Sequence, residues 1–171
     1  MKLSPKYKMP FKRRREGKTD YMNRLRLLKS GMPRLVIRKS LRYITAQISD
    51  FDKKGDKTLI AVTSNELKKL GWNYACDNLP AGYLTGLLVG KKALDKKITE
   101  VVLDSGLYSS VKGSRIYSVV KGALDAGLKI PIDQEIMSGE ERIKGEHIAT
   151  NEKFKSLPSE FEKIKQKILG G

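Results

Sequence analysis

The amino-acid sequence predicts an α/β fold: a mixed sheet of about four strands, met in the order β-β-β-α-β-α and covered by helices. Three observations point to it. Three short β-patterned runs follow one another with only turns between them, as in an antiparallel meander. Two longer runs then show helical periodicity with caps and stops. Between those two lies one short, continuously apolar run. At 171 residues the chain is long enough for one cored domain with extensions at both ends.

Residues 1–17 combine Pro, Gly and basic side chains with almost no apolar periodicity, and are expected to lack order without a partner. Thr19 is placed to cap a short helix, TDYMNRLRLLKSG, ended by Gly31. Its apolar stripe is Tyr21, Leu25 and Leu28, a weak docking face, with Arg24 and Arg26 on other sides. RLVIRKS and LRYITAQISDF read as two strands joined near Lys39-Ser40, with Ile44, Ala46 and Ile48 alternating with Tyr43, Thr45 and Gln47. KKGD is a turn and TLIAVTS a third strand. NELKKLGWNYACDN reads as a helical turn and loop. LPAGYLTGLLVGKKALDKK is a firm helix with Leu84, Leu87, Leu88 and Leu94 on its buried side. ITEVVLD is a fully buried strand. SRIYSVVKGALDAGLKIP is a second helix, capped by Ser114, ended by Gly127 and stopped by Pro131. A polar, loop-rich stretch and a terminal amphipathic helix around SEFEKIKQKIL follow. The division is 1–31 arm and short helix, 32–131 α/β core, and 132–171 C-terminal extension.

Charge supplies the functional lead. The net charge is +16 and the pI about 9.9. Residues 1–45 hold 15 Lys/Arg against two acids, a net of +13, while residues 46–171 carry only +3. So uneven a split implies a polyanionic partner met by the N-terminal quarter. A single cysteine, Cys76, makes no intramolecular disulfide and suits a reducing, cytoplasmic setting. With one histidine, His147, distant from it, no metal-ligand set or cofactor is expected. The longest low-charge stretch, DNLPAGYLTGLLVG, falls short of the ~20 residues a membrane span needs.

Phosphate-loop and dinucleotide spacings are absent, so no small-molecule nucleotide substrate is indicated. Gly82, Gly86 and Gly90 share one helix face and are expected to let that helix lie close on the sheet. Asp104 ends the buried strand; the reading for it is a carboxylate that ties its own loop through backbone N–H groups. The loop beyond, with Tyr108, Lys112, Gly113, Ser114 and Arg115, could hold phosphate at a helix start. Arg34, Arg38, Lys39, Ser40, Arg42 and Tyr43 gather around the first hairpin with no acid nearby, cations beside a ring that can stack. Trp72 reads as packing and His147 as a loop residue.

PRLVIRKSLRYITAQISDF, AGYLTGLLVGKKAL, VVLDSGLYSSVKGSRIYSVVKGALDAGLKIPIDQEIM and ERIKGEHI together resemble the archaeal form of ribosomal protein family eighteen, the large-subunit family that binds 5S rRNA. The KTDY helix near the start belongs to that resemblance, which runs from about residue 5 to residue 150. It implies a non-catalytic α/β protein in the central protuberance, touching 5S rRNA, 23S rRNA and neighbouring ribosomal proteins. It also implies three RNA-facing parts. The arm contributes Lys6, Tyr7, Lys8, Lys12, Arg13, Arg14, Arg15, Lys18, Tyr21, Arg24 and Arg26. The hairpin contributes Arg34 to Tyr43, and the loop Gly106 to Arg115. Bacterial members carry a Gly-Tyr-x-Tyr-His-Gly-Arg loop; GLYSSVKGSR keeps Tyr108, Gly113 and Arg115. Two other readings stand beside this one: an RNA-processing enzyme with Asp104 as a metal-binding carboxylate, and a basic DNA binder.

Overall fold

The computed structural model describes residues 6–170; what was expected of residues 1–5 lies outside them. Strands β1 (Arg34–Lys39), β2 (Ile44–Asp50) and β3 (Lys57–Thr63) form the meander. Strand β4 (Val102–Asp104) adds parallel to β1, giving the spatial order β3-β2-β1-β4. The register sorts the side chains by face. Leu35 pairs with Ile48 and Ile37 with Ala46, so one face is apolar. Arg34 pairs with Ser49 and Arg38 with Thr45 on the other, and β4 sets Asp104 beside Val36 on that polar face.

Helices α3 (Leu79–Asp95) and α4 (Arg115–Asp125) cover the apolar face. Asn78 caps α3 by accepting from the Ala81 N–H at 2.9 Å, and Pro80 sits in the first turn, where its missing N–H costs nothing. The glycine face of α3 packs on α4, not on the sheet as expected. A Cβ at Gly86 would run into the Val119 carbonyl, and one at Gly122 into the Tyr83 carbonyl. Sequence spacing announces a close approach without naming the partner.

A second core lies on the far side of α3. Leu67, Trp72, Leu84 and Leu87 meet Leu157, Phe161, Ile164 and Ile168 of α7 (Leu157–Gly170). Trp72 is packing, as expected, and its Nε1 donates to the Ala75 carbonyl at 3.1 Å. Cys76 is buried in the same core, and burial pushes its thiol pKa up. The stretch read as loop contains helical turns, among them α5 (Glu140–Lys144) and α6 (Glu146–Ala149), and His147 sits on the latter.

Other expectations need correcting. Leu94 is exposed: it lies one residue from the end of α3, beside Gly127 and outside both cores. Strand β4 is short and its Val102 and Leu103 only half-buried, because it is an edge strand. Ser114 precedes α4 but caps nothing, and its Oγ is buried without a partner among the described residues.

The N-terminal part departs most. One helical turn, α1 (Lys12–Arg15), forms where no order was expected. Helix α2 (Tyr21–Leu28) is capped by Asp20, whose Oδ1 accepts from Met22 and Asn23 N–H groups at 2.9 and 3.2 Å. Thr19 Oγ1 instead accepts from Arg13 Nε at 2.9 Å. Of the expected docking stripe, Tyr21 and Leu25 are exposed, the latter by 52%, and only Leu28 is half-buried.

Candidate nucleic-acid interface

Arg24 turns inward because a carboxylate answers it. Its Nη2 lies 2.7 Å from Asp56 Oδ1, and Asp56 Oδ2 lies 2.6 Å from Arg34 Nη2. Arg34 Nη1 reaches Asp104 Oδ2 at 3.0 Å, and Asp104 Oδ1 takes Arg38 Nη2 at 3.0 Å. Arg38 Nη1 also donates to the Asp104 carbonyl at 2.8 Å. The result is a continuous Arg–Asp–Arg–Asp–Arg chain across the polar sheet face, tying α2 to β1, β4 and the turn before β3. The hydrogen bond from Arg24, then that from Arg34, holds the Asp56 carboxyl below its ordinary value against the opposing effect of burial. Asp56 in turn raises the pKa of Arg24.

Arg34, placed by the sequence among exposed hairpin cations, is only 2% exposed and committed to two aspartates. In this arrangement it is a strut, not a surface cation. Asp104 ties its loop as expected, its Oδ1 accepting from the Gly106 N–H at 2.9 Å, but its two arginine partners have no local signature in the chain.

The hairpin tip is locked by Ser40. Its Oγ accepts from the N–H groups of Arg42 and Tyr43 at 3.3 and 3.0 Å and donates to the Tyr43 carbonyl at 3.0 Å. Leu41, 94% exposed, and Arg42 are left standing at the tip. Tyr108 fastens the loop after β4 to this hairpin. Its hydroxyl donates to the Lys39 carbonyl at 2.8 Å, and Lys39 Nζ lies 5.0 Å from its ring centre. Hairpin and loop thus form one surface. Tyr43 points elsewhere, half-buried against the second core with Lys68 Nζ 5.8 Å from its ring centre.

Of the remaining loop residues, Gly113 has φ +69°, the left-handed region glycine favours, and its N–H donates to the Ile136 carbonyl at 2.9 Å. Arg115 Nη1 donates to the Asp77 carbonyl at 2.8 Å and its carboxylate at 3.2 Å. Lys112 is exposed.

Along the arm, Lys6, Tyr7, Lys8 and Lys12 to Arg15 are all exposed. Lys18 pairs with Glu16 at 2.9 Å. Lys8, Lys12, Arg14, Arg15, Arg26, Arg42 and Lys112 make no ion pair with any described residue. A cleft of about 150 Å³ separates arm from body, lined by Arg13, Lys18, Arg24, Arg38, Asp104 and Leu107 among others. Sequence reasoning passed over Phe11, whose ring centre lies 6.1 Å from that of Tyr21. Its place between Pro10 and four cations was the available signal.

Unanswered cations on an α/β scaffold, beside others braced by aspartates, define the class: a protein that presents a basic surface to a polyanion. Residues 5–100 match the family described as ribosomal large subunit proteins 60S L5, and 50S L18. The chain is also 46% identical, over 191 aligned positions covering 99% of each sequence, to the large ribosomal subunit protein uL18 of Methanococcus maripaludis. The chain belongs to this family of large-subunit ribosomal proteins, structural constituents and not enzymes. The RNA-processing reading of Asp104 falls with that. No helix among the described residues is long and apolar enough to cross a membrane.

Proposed function

We propose that the protein binds 5S rRNA and helps attach it to 23S rRNA in the central protuberance, beside neighbouring large-subunit proteins. The observation that carries this reading is the concentration of unpaired cations on the arm, hairpin tip and adjoining loop: Lys8, Lys12, Arg14, Arg15, Arg42 and Lys112. Each can meet a phosphate without first breaking an internal ion pair. Lys39 and Tyr108 hold hairpin and loop in one fixed shape, which suits a structured RNA better than an extended strand. Arg24, Arg34 and Arg38 serve by bracing the arm against the body.

The test is chemical footprinting of isolated 5S rRNA with the purified protein and with a variant lacking residues 1–17. Discrete protections are expected, with a subset lost on deletion. Protections that are absent, or unchanged by the deletion, would remove the arm from the interface.

A further inference from the structure

We infer that Phe11 and Tyr21 form a stacking step for an unpaired RNA base, a role that rests on the reading of the arm as RNA-binding. Phe11 is 78% exposed although it touches Tyr21, so that contact covers little of the ring. Its backbone, at φ −54° and ψ 148°, is of the polyproline kind and leads directly into α1. Tyr7, Met9, Met22 and Leu25 are exposed as well. This apolar margin lies outside both cores, while α2 is tied to the body through Arg24.

Charge decides the occupant. Lys8 and Lys12 to Arg15 bracket Phe11, and no acid occurs before Glu16. An apolar protein surface docking here would need carboxylates to answer those cations. A nucleotide brings its phosphate with its base, so one ligand satisfies ring and cations together. In a duplex the base faces are covered by their neighbours, so only an unpaired base offers a face to Phe11. The rings are inclined at 50° to each other, so a base lying flat on Phe11 stands at the same inclination to Tyr21.

The experiment measures affinity of the full chain for a short single-stranded RNA and for an RNA duplex of the same length. The proteins compared are wild type, Phe11→Leu, Phe11→Trp and the double variant Arg14→Ala with Arg15→Ala. Phe11→Leu should weaken single-strand binding roughly five- to a hundredfold, leave the duplex unchanged, and be rescued by Phe11→Trp. If Phe11→Leu binds the single strand as wild type does while the arginine variant weakens both RNAs, the stacking step is overturned and the RNA-binding arm stands. Equal losses on both RNAs from Phe11→Leu overturn it too, since the ring would then make a contact indifferent to base pairing. If the arginine variant also leaves both affinities unchanged, the arm reading itself falls.

Discussion

Two sets of cations lie near each other in this molecule and are built in opposite ways. Arg24, Arg34 and Arg38 are threaded together by Asp56 and Asp104, with every link at 3.0 Å or less. Lys12, Arg14 and Arg15, only a few residues upstream of the first of these, have no carboxylate among the described residues. The sequence counts all six equally. The structure teaches that a positive side chain is available to an outside partner only where the fold has not already answered it. What decides that is an acid far along the chain.

The largest expected effect breaks the braced set. Asp104→Ala strips Arg38 of its carboxylate, leaves buried Arg34 with one partner of two, and removes the acceptor of the Gly106 N–H. It should lower unfolding free energy by about 3 kcal/mol, measured by denaturant titration. A wild-type midpoint would mean the chain of ion pairs is decoration.

The next effect acts on the free set and should be invisible to that measurement. Arg14→Ala with Arg15→Ala should change stability by no more than about 0.5 kcal/mol. RNA affinity should fall, and the slope of log K against log salt should become shallower by about 1.5 to 2. A loss of stability in this variant would show that the two sets are coupled.

Arg38 sharpens the contrast because it belongs partly to both, its side chain being paired yet 45% exposed. Arg38→Lys keeps the charge but cannot hold the Asp104 carboxylate, the Asp104 carbonyl and the Ile37 carbonyl at once. About 1 kcal/mol of stability should be lost with little change in salt slope. A changed slope would place Arg38 with the free cations.

The smallest effect is on acid stability. Asp56 is held below the ordinary carboxylate range chiefly by Arg24. Its contribution to stability is therefore complete above about pH 4 and disappears as pH falls through its lowered value. Arg24→Ala removes the main cause, so the acid-unfolding midpoint, followed by circular dichroism, should move slightly upward. A downward shift would reverse the assignment.

The fold was legible wherever the cause was local. Alternation at Ile44, Ala46 and Ile48, the KKGD turn and the Gly127 stop place the sheet and the two main helices within a few residues. Distant partners were not legible. Arg24 lies 32 positions from Asp56 and Arg34 lies 70 from Asp104, and no local pattern predicts which arginine finds an acid. For the same reason the glycine face was matched to the wrong neighbour, and Leu25 was given an inward face that Arg24 occupies. Of the candidate site, the arm and hairpin tip could be read from charge alone. The burial of Arg34, the attachment of Tyr108 to Lys39 and the inward turn of Tyr43 could not.

Helix α3 is buried on two sides by parts of the chain made at very different times. Its sheet side has partners already synthesised, since β1 to β3 precede it. Its other side waits for Phe161, Ile164 and Ile168, which the ribosome adds much later. Until then Leu84, Leu87 and Trp72 have no lid, and the nascent chain carries an apolar surface that only its last helix removes. A ribosomal protein of this design completes its own fold only when translation of residues 157–170 is done, so a message cut short before them yields a chain with its second core uncovered.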